Sequence, residues 1–236
     1  VQTCALPIWE SAMTAKTRIL SRLRAAPSQQ KAAPSAEDYA VAQQPWRFDS
    51  TERTSRFKDL LTAVQTEIHD CTSETWPQTL AELAAQKGWR NLLLPENSPL
   101  NNAIEQTWQH SVSALPPLQH YDQAIEAWRE ALFFDTDAAI TGCHAAIAAT
   151  GSIVLWPSPS EPRLMSLVPP THIVVVKQSQ LADNLLDLMQ QQQWQQGMPT
   201  NLVLVSGPSK TSDIQRVTAY GAHGPKALIV LFLTDC

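Results

Sequence analysis

The sequence predicts an α/β domain: a largely parallel sheet with flanking helices, preceded by an N-terminal helical extension. Three observations point there. Four aliphatic runs, "GSIVLW", "THIVVV", "TNLVLV" and "KALIVLFL", show no clean alternation, which suits strands covered on both faces. Helical spacing stands between the later runs, giving strand, helix, strand, helix, strand. Glycines stand where helices would stop, at Gly88, Gly197 and Gly221.

The elements follow in order. "VQTCALPI" looks like an in-frame translation of a short-read sequencing adapter, so residues 1–12 are set aside as an expected artefact. Met13 opens "MTAKTRILSRLRAAP", a helix in which Ile19, Leu20 and Leu23 form an apolar stripe beside basic positions; Pro27 ends it. Residues 27–50, rich in Ala, Pro, Gln and Ser, are expected to be a linker or extended arm. Residues 51–69 return to helical spacing, with Phe57, Leu60, Leu61, Val64 and Ile68 on one face. Residues 13–72 are too thin for a core of their own, and the main domain is expected over 73–236. There "SETWPQTLAELAAQKG" is a helix with a Ser cap candidate and Gly88 at its C-cap, "WRNLLLP" is a short buried strand, and "YDQAIEAWREALF" is helical. "SQLADNLLDLMQQQQWQQG" is a helix closing at Gly197, and "TSDIQRVTAYG" is a helix closing at Gly221.

Charge and cysteine content exclude several classes. A net charge of −5 argues against a nucleic-acid surface, which needs concentrated Lys and Arg. The basic cluster Lys16, Arg18, Arg22, Arg24 and Lys31 lies on one short helix and its tail and suits a solvated face. No apolar run reaches the roughly 18 residues of a membrane span, and no signal peptide is evident, so a cytoplasmic protein is expected. Cys4, Cys71, Cys143 and Cys236 are not paired at zinc or iron–sulfur spacing. No cofactor is therefore expected on this chain, and the thiols are expected to be free.

Three glycine-bearing loops carry the candidate chemistry. In "LVLVSGPSKTSDIQ", Gly207 lets the backbone turn after Ser206, and Ser209, Thr211 or Ser212 can cap the next helix. Free N–H groups of its first turn, with Lys210 beside them, would favour an anion. The same residues suit a plain connection, because a Ser or Thr cap with Asp213 in the first turn satisfies the helix without a ligand. In "GAHGPK", His223 stands between Gly221 and Gly224, with Lys226 after it. His223 is either a solvated loop residue or an acid/base, donor or partner contact facing the same cleft. In "AAITGCHAAIAATGSIVLW", Thr141, Gly142, Thr150 and Gly151 bracket a short apolar helix, and Cys143 suits a small buried hydrophobe. Arg163, in "SEPRLMSLVPPTH", is placed to meet an acid or an anion, and Pro169-Pro170 stiffens the approach to the next strand. No Walker loop, nucleophile elbow or dinucleotide fingerprint is present.

Together "AAIAATGSIVL", "PRLMSLVPPTHIVVV" and "SGPSKTSDIQRVTAYGAHGPKALIVLFL" resemble the LUD-domain family, in its lactate utilization protein C (LutC, YkgG) type, in order from about Trp128 to Leu233. "MTAKTRILSRLRAA" is similar to that family's opening helix. The resemblance implies a fold like NagB, RpiA and the CoA transferases. It also implies a role in oxidising L-lactate to pyruvate, beside an iron–sulfur LUD subunit (LutB-like) and a cysteine-rich subunit (LutA-like), with the clusters on the partners. Many relatives carry an acid before the Thr-Gly of the middle motif, where this chain has Ala149; that weakens a carboxylate mechanism there, although Glu161 or Asp213 can substitute. Three functions are therefore weighed: a non-redox subunit binding a small anion, a structural assembly subunit, and a stand-alone isomerase or CoA-transferase-like enzyme.

Overall fold

A computed structural model describes residues 14–25, 34–112, 114–212 and 218–236. Residues 1–13, with the presumed adapter segment and Cys4, lie outside them. The chain divides into two units, Val1–Ala42 and Gln43–Cys236. In the first lies helix α1 (Ala15–Ala25), as its stripe predicts, and most of α2 (Ala36–Gln43). The latter is a correction, since 27–50 is expected above to be an arm without helix.

The second unit begins earlier than residue 73. Helix α3 (Ser50–Ala63) is capped by Asp49, whose carboxylate accepts from the Thr51 and Glu52 N–H groups. The helix expected over 51–69 stops at Ala63. Glu67–Cys71 is strand β1, so Ile68 belongs to a sheet and not to the helical stripe. Then come α4 (Trp76–Lys87), closed by Gly88 in the left-handed conformation, β2 (Leu92–Pro95), α5 (Asn101–His110) and β3 (Leu118–Tyr121). Helix α6 (Ile125–Glu130) runs into a π turn, Ala131–Asp135. Strands β4 (Ala138–Thr141), β5 (Ala145–Ile147) and β6 (Ser152–Leu155) follow, then α7 (Leu164–Leu167) and β7 (Thr171–Lys177). The remaining elements are β8 (Leu181–Ala182), α8 (Leu185–Gln191), β9 (Val203–Val205), β10 (Lys210–Ser212), β11 (Thr218–Tyr220) and β12 (Ala227–Leu233).

Six strands form a parallel sheet in the order β1-β12-β7-β4-β2-β3. One face, with Leu92, Leu94, Ile140, Ile173, Val175, Ile229 and Leu231, packs on Trp76, Leu80, Leu83 and Ile104 from α4 and α5. The other face has two different covers. Over β12 and β7, Leu228, Val230, Phe232, Val174 and Val176 meet Phe57 and Leu61 of α3 and the inner residues of a second sheet. Over β4 and β2, Ala139 and Leu93 meet Leu132 and Met165. Both faces are apolar, which is why the strand runs do not alternate.

The second sheet, β8-β5-β6-β9, is mixed. β6 is antiparallel to both β5 and β9. "GSIVLW" and "TNLVLV" are thus strands, but not of the parallel sheet. The apolar helix expected between Thr141 and Gly151 is the strand β5. Ala145 and Ile147 point to Leu188 and Trp194, while Ala146 points to the main sheet, so its small and β-branched residues are buried on both sides. The long helix expected to end at Gly197 is broken into β8, α8 and flanking 3-10 turns.

The largest departure concerns "TSDIQRVTAYG". Lys210–Ser212 and Thr218–Tyr220 form an antiparallel ribbon, pairing Lys210 with Tyr220 and Thr211 with Ala219. Among the described residues no helix begins after Gly207, and Lys210–Ser212, where the helix N-terminus for an anion is expected, is strand. The base of the ribbon is tied by backbone bonds: Ser209 N–H donates to the Pro225 carbonyl and Gly221 N–H to the Ser209 carbonyl. Thr211, Thr218 and Tyr220 favour a pleated backbone, and this closure selects it. Residues 213–217, including Asp213, lie outside the described residues.

Two glycines bring the loops against α3. Gly151 and Gly207 have φ of 58° and 134°, and a Cβ on either would lie 2.6 Å from Leu60 Cβ or Val64 Cγ2, respectively. Gly207→Ala and Gly151→Ala should each destabilise the protein by about 2 kcal/mol or more, from backbone strain plus overpacking. Urea unfolding followed by circular dichroism measures this; unchanged midpoints would contradict the packing described.

Candidate functional site

In an open parallel sheet the connections leave on opposite sides at one place, and the crevice there is where ligands bind. Here β2 leads outward to the edge strand β3, whereas β4 leads the other way to β7. The crevice therefore lies beyond the carboxyl ends of β2 and β4, at Pro95 and Thr141. The segment after β6 crosses it. Glu96 N–H donates to the Ser160 carbonyl at 3.1 Å, and Gly142 N–H donates to Glu161 Oε1 at 2.9 Å.

A narrow slot opens at this point, lined by Thr141, Trp156, Glu161, Pro162, Arg163 and Ser166 among others. The space holds about one water. Burial pushes the Glu161 carboxyl above its ordinary range, against the opposing pull of the Gly142 N–H. Among the described residues no cation forms an ion pair with it. Arg163 is exposed at the mouth, and its Nη1 donates to Asn201 Oδ1 at 2.7 Å. Ser166 is buried, with its hydroxyl donated to the Arg163 carbonyl.

Beneath the slot, Thr141 Oγ1 and His172 Nε2 are 2.8 Å apart and both residues are buried. His172 Nδ1 is buried without a hydrogen-bond partner. Burial lowers the imidazole to about 3, so it is neutral. Cys143 lies next to Gly142. Burial raises its thiol, Glu161 adds to the rise, and Sγ donates to the Ala145 carbonyl at 2.8 Å. It is half-buried rather than buried, and packs against the second core with its thiol held toward the neutral form. Trp156 is backed by His144 at 4.4 Å and by Trp194 at 5.6 Å between ring centroids.

The candidates fall into two groups. Thr150, Gly151, Ser206, Gly207, Ser209, Gly221, His223 and Gly224 do converge. Thr150 Oγ1, Ser152 Oγ and Ser206 Oγ form a chain with both links at 2.7 Å. His223 N–H donates to Ser209 Oγ at 3.2 Å. Gly224 faces Ser209, and the stem of Lys226 lies against Gly221. Lys210, Lys226 and the His223 side chain are exposed, and Thr211 is half-buried. The Gly151, Ser209, Gly221 and His223 N–H groups are spent within the loops themselves. Arg163 does not join this group: its partner Asn201 precedes β9, whereas Ser206 follows it. Ala149 packs on the apolar cluster of Leu188 and Trp194, and its N–H donates to the Asp183 carbonyl; no carboxylate occupies that position.

Larger open grooves, of about 420 and 440 Å³, run beside α3 near Ser50, Thr54 and Gln178. Their cations are already engaged, Arg53 by Asp183 at 2.5 Å and Lys58 by Asp70 at 2.6 Å. The slot is smaller but holds a carboxyl that burial pushes upward, whereas Asp235 in one groove is held down by its bonds to Ser73. His172, Ser166 and Trp156 were not singled out from the sequence. The one signal was a histidine set inside the aliphatic run "THIVVV".

The fold and the crevice define a parallel α/β domain with its candidate site at the topological switch point. The LUD domain family model matches residues 54–233, and the chain belongs to that family. Uncharacterized protein NMB1437 of Neisseria meningitidis serogroup B is 35% identical over 223 residues, covering 93% of each chain. Lactate utilization protein C of an Exiguobacterium species is 28% identical over 188 residues, covering 78% of this chain and 79% of that one. The crystal structure of a DUF162 family protein from Deinococcus radiodurans shares the fold, with a TM-score of 0.58 and 21% identity over 80% of this chain and 100% of that one. No helix among the described residues is long and apolar enough to cross a membrane.

His172 makes stability depend on pH. Its folded pKa lies below its unfolded one, so the unfolded chain takes the proton first and stability falls as pH drops from 6.5 toward 3. His172→Gln should flatten that fall, by at most about 1.4 kcal/mol per pH unit. Denaturant titrations at pH 4, 5 and 7 measure it; equal slopes in both proteins would show that His172 does not titrate on unfolding.

Proposed function

We propose that this chain serves lactate utilization in the cytoplasm as a non-redox LUD subunit. It works beside an iron–sulfur LUD subunit (LutB-like) and a cysteine-rich subunit (LutA-like), which carry the clusters. Its own task is to hold a small carboxylate, such as lactate or pyruvate, at the mouth of the switch-point slot. Glu161 carries this reading: a carboxyl pushed toward its neutral form, without a cation of its own, beside an exposed arginine. The Arg163 guanidinium meets the ligand carboxylate, and the protonated Glu161 donates to it from below. Relatives named lactate utilization protein C supply the metabolic setting.

The loops around Ser206, Ser209 and His223 suit a different task. With the Ser209, Gly221 and His223 N–H groups and the Ser206 hydroxyl bonded within the loops, they form a preset surface, which fits contact with a partner subunit better than capture of an anion.

Calorimetry with L-lactate and pyruvate, on the chain alone and with its partner subunits, tests the reading. Affinity should fall as pH rises, because the bound form holds Glu161 protonated. Arg163→Ala should weaken binding by about tenfold or more, the scale of one hydrogen bond to a charged group. Glu161→Gln should keep the affinity and lose its pH dependence. It should also raise stability at neutral pH, since an acid whose folded pKa is raised destabilises the fold above its unfolded pKa. No binding in any of these mixtures would overturn the ligand assignment.

A further inference from the structure

Helix α1 carries Lys16, Arg18, Arg22 and Arg24 and no carboxylate, in a chain whose net charge is −5. All of its residues are exposed. Ile19 and Leu23 lie one turn apart with Leu20 beside them, so they make a short apolar stripe. At 100° per residue, Arg22 borders that stripe on one side and Arg24 on the other. A stripe with cationic edges fits an apolar surface with an anionic rim.

The second unit presents such a surface. The π turn Ala131–Asp135 sets two adjacent aromatic rings outward, Phe133 at 48% and Phe134 at 79% exposure. Two adjacent bare rings make a small apolar patch, and such patches mark contact surfaces where single exposed apolar residues do not; single π turns are frequent at functional places. Glu126, Glu130 and Asp135 stand exposed in the same stretch of chain, with Arg90 within electrostatic reach of Asp135. Among the described residues no ion pair engages Glu126 or Glu130. Arg129 is the one cation between 122 and 135, and it lies over the Phe133 ring at 5.8 Å.

We propose that α1 of one copy docks on the Phe133–Phe134 surface of a second copy, and the reverse, giving a two-fold dimer with both contacts equivalent. Leu20 and Leu23 cover the two rings, and Lys16, Arg22 and Arg24, which lie on or beside the stripe, meet Glu126, Glu130 and Asp135. The match is one of chemistry: each surface supplies the apolar centre and the charge that the other lacks, and both are on the same chain. Neither belongs to the switch-point slot, so this dimer and the ligand reading stand or fall separately.

Sedimentation equilibrium on the full chain tests it with two charge-reversed proteins, Lys16→Glu/Arg22→Glu/Arg24→Glu and Glu126→Lys/Glu130→Lys/Asp135→Lys. The wild type should be a dimer whose dissociation constant rises with salt. Each reversed protein alone should dimerise about tenfold more weakly or worse, as three unmade exposed pairs imply. An equimolar mixture of the two should recover the dimer, because each negative helix then meets a positive surface and each positive helix a negative one. Phe134→Asp should abolish the dimer without rescue. Circular dichroism on each protein confirms that it is folded. A wild type that stays monomeric overturns the proposal. So does a mixture that stays monomeric, the result expected if α1 binds within its own chain or on an unrelated protein.

Discussion

Strand β12 is hydrogen-bonded in parallel to β1 on one side and to β7 on the other. Six of its seven residues supply both cores of the main sheet. Ile229, Leu231 and Leu233 face α4 and α5, while Leu228, Val230 and Phe232 face α3 and the second sheet. Among the described residues β1 pairs with no other strand, so the first strand of the sheet is attached through the last. This pairing joins residues more than 150 positions apart in sequence, and loop closure of that length must be offset by burial on both faces at once. Phe232 does much of this: its ring lies 6.1 Å from that of Phe57, and Lys58 lies over it at 4.5 Å. The anchoring of α3, and through α3 the seating of Gly151 and Gly207, follow from that one strand.

The candidate site exists because one face of the sheet has two covers. A second sheet roofs β12 and β7, the π turn and α7 roof β4 and β2, and Thr141 and His172 lie where the roofs meet. A crossing segment closes this seam with Glu161. Low polarizability there favours neutral forms of every titratable group, and Glu161, His172 and Cys143 all shift toward neutrality. One exposed cation, Arg163, stands at the edge. The result is a site suited to holding a proton opposite a small anion, without a metal ligand set among the described residues.

Local patterns identify β2, β6, β7, β9 and β12 as strands and miss the other seven among the described residues. "KALIVLFL" and "THIVVV" are central strands because a run of apolar residues without alternation has no other stable place in an α/β domain. Gly88 closes a helix, as its position implied. Weak patterns failed in one direction. Ala145–Ile147, Glu67–Cys71 and Thr218–Tyr220 were assigned to helices by spacing, but neighbours several turns away in sequence offered them open strand edges. Short segments have nearly balanced propensities, so the available partner decides. The same effect removed the helix after Gly207 and with it the dipole argument for an anion there.

By itself the sequence determined the layer plan, the parallel character of the sheet, the family, and the fact that its glycine-bearing loops draw together. These depend on hydrophobic period, on residue order and on backbone positions that only glycine tolerates, all of which are local. Only the tertiary structure decided which strands leave the main sheet, where the connections diverge, and which charged groups are spent. Arg163 and Ser206 looked like members of one site and lie at opposite ends of β9, whereas His172 looked like part of a strand and lies under the slot. Burial and proximity across long sequence separations set those roles, and no local pattern encodes them.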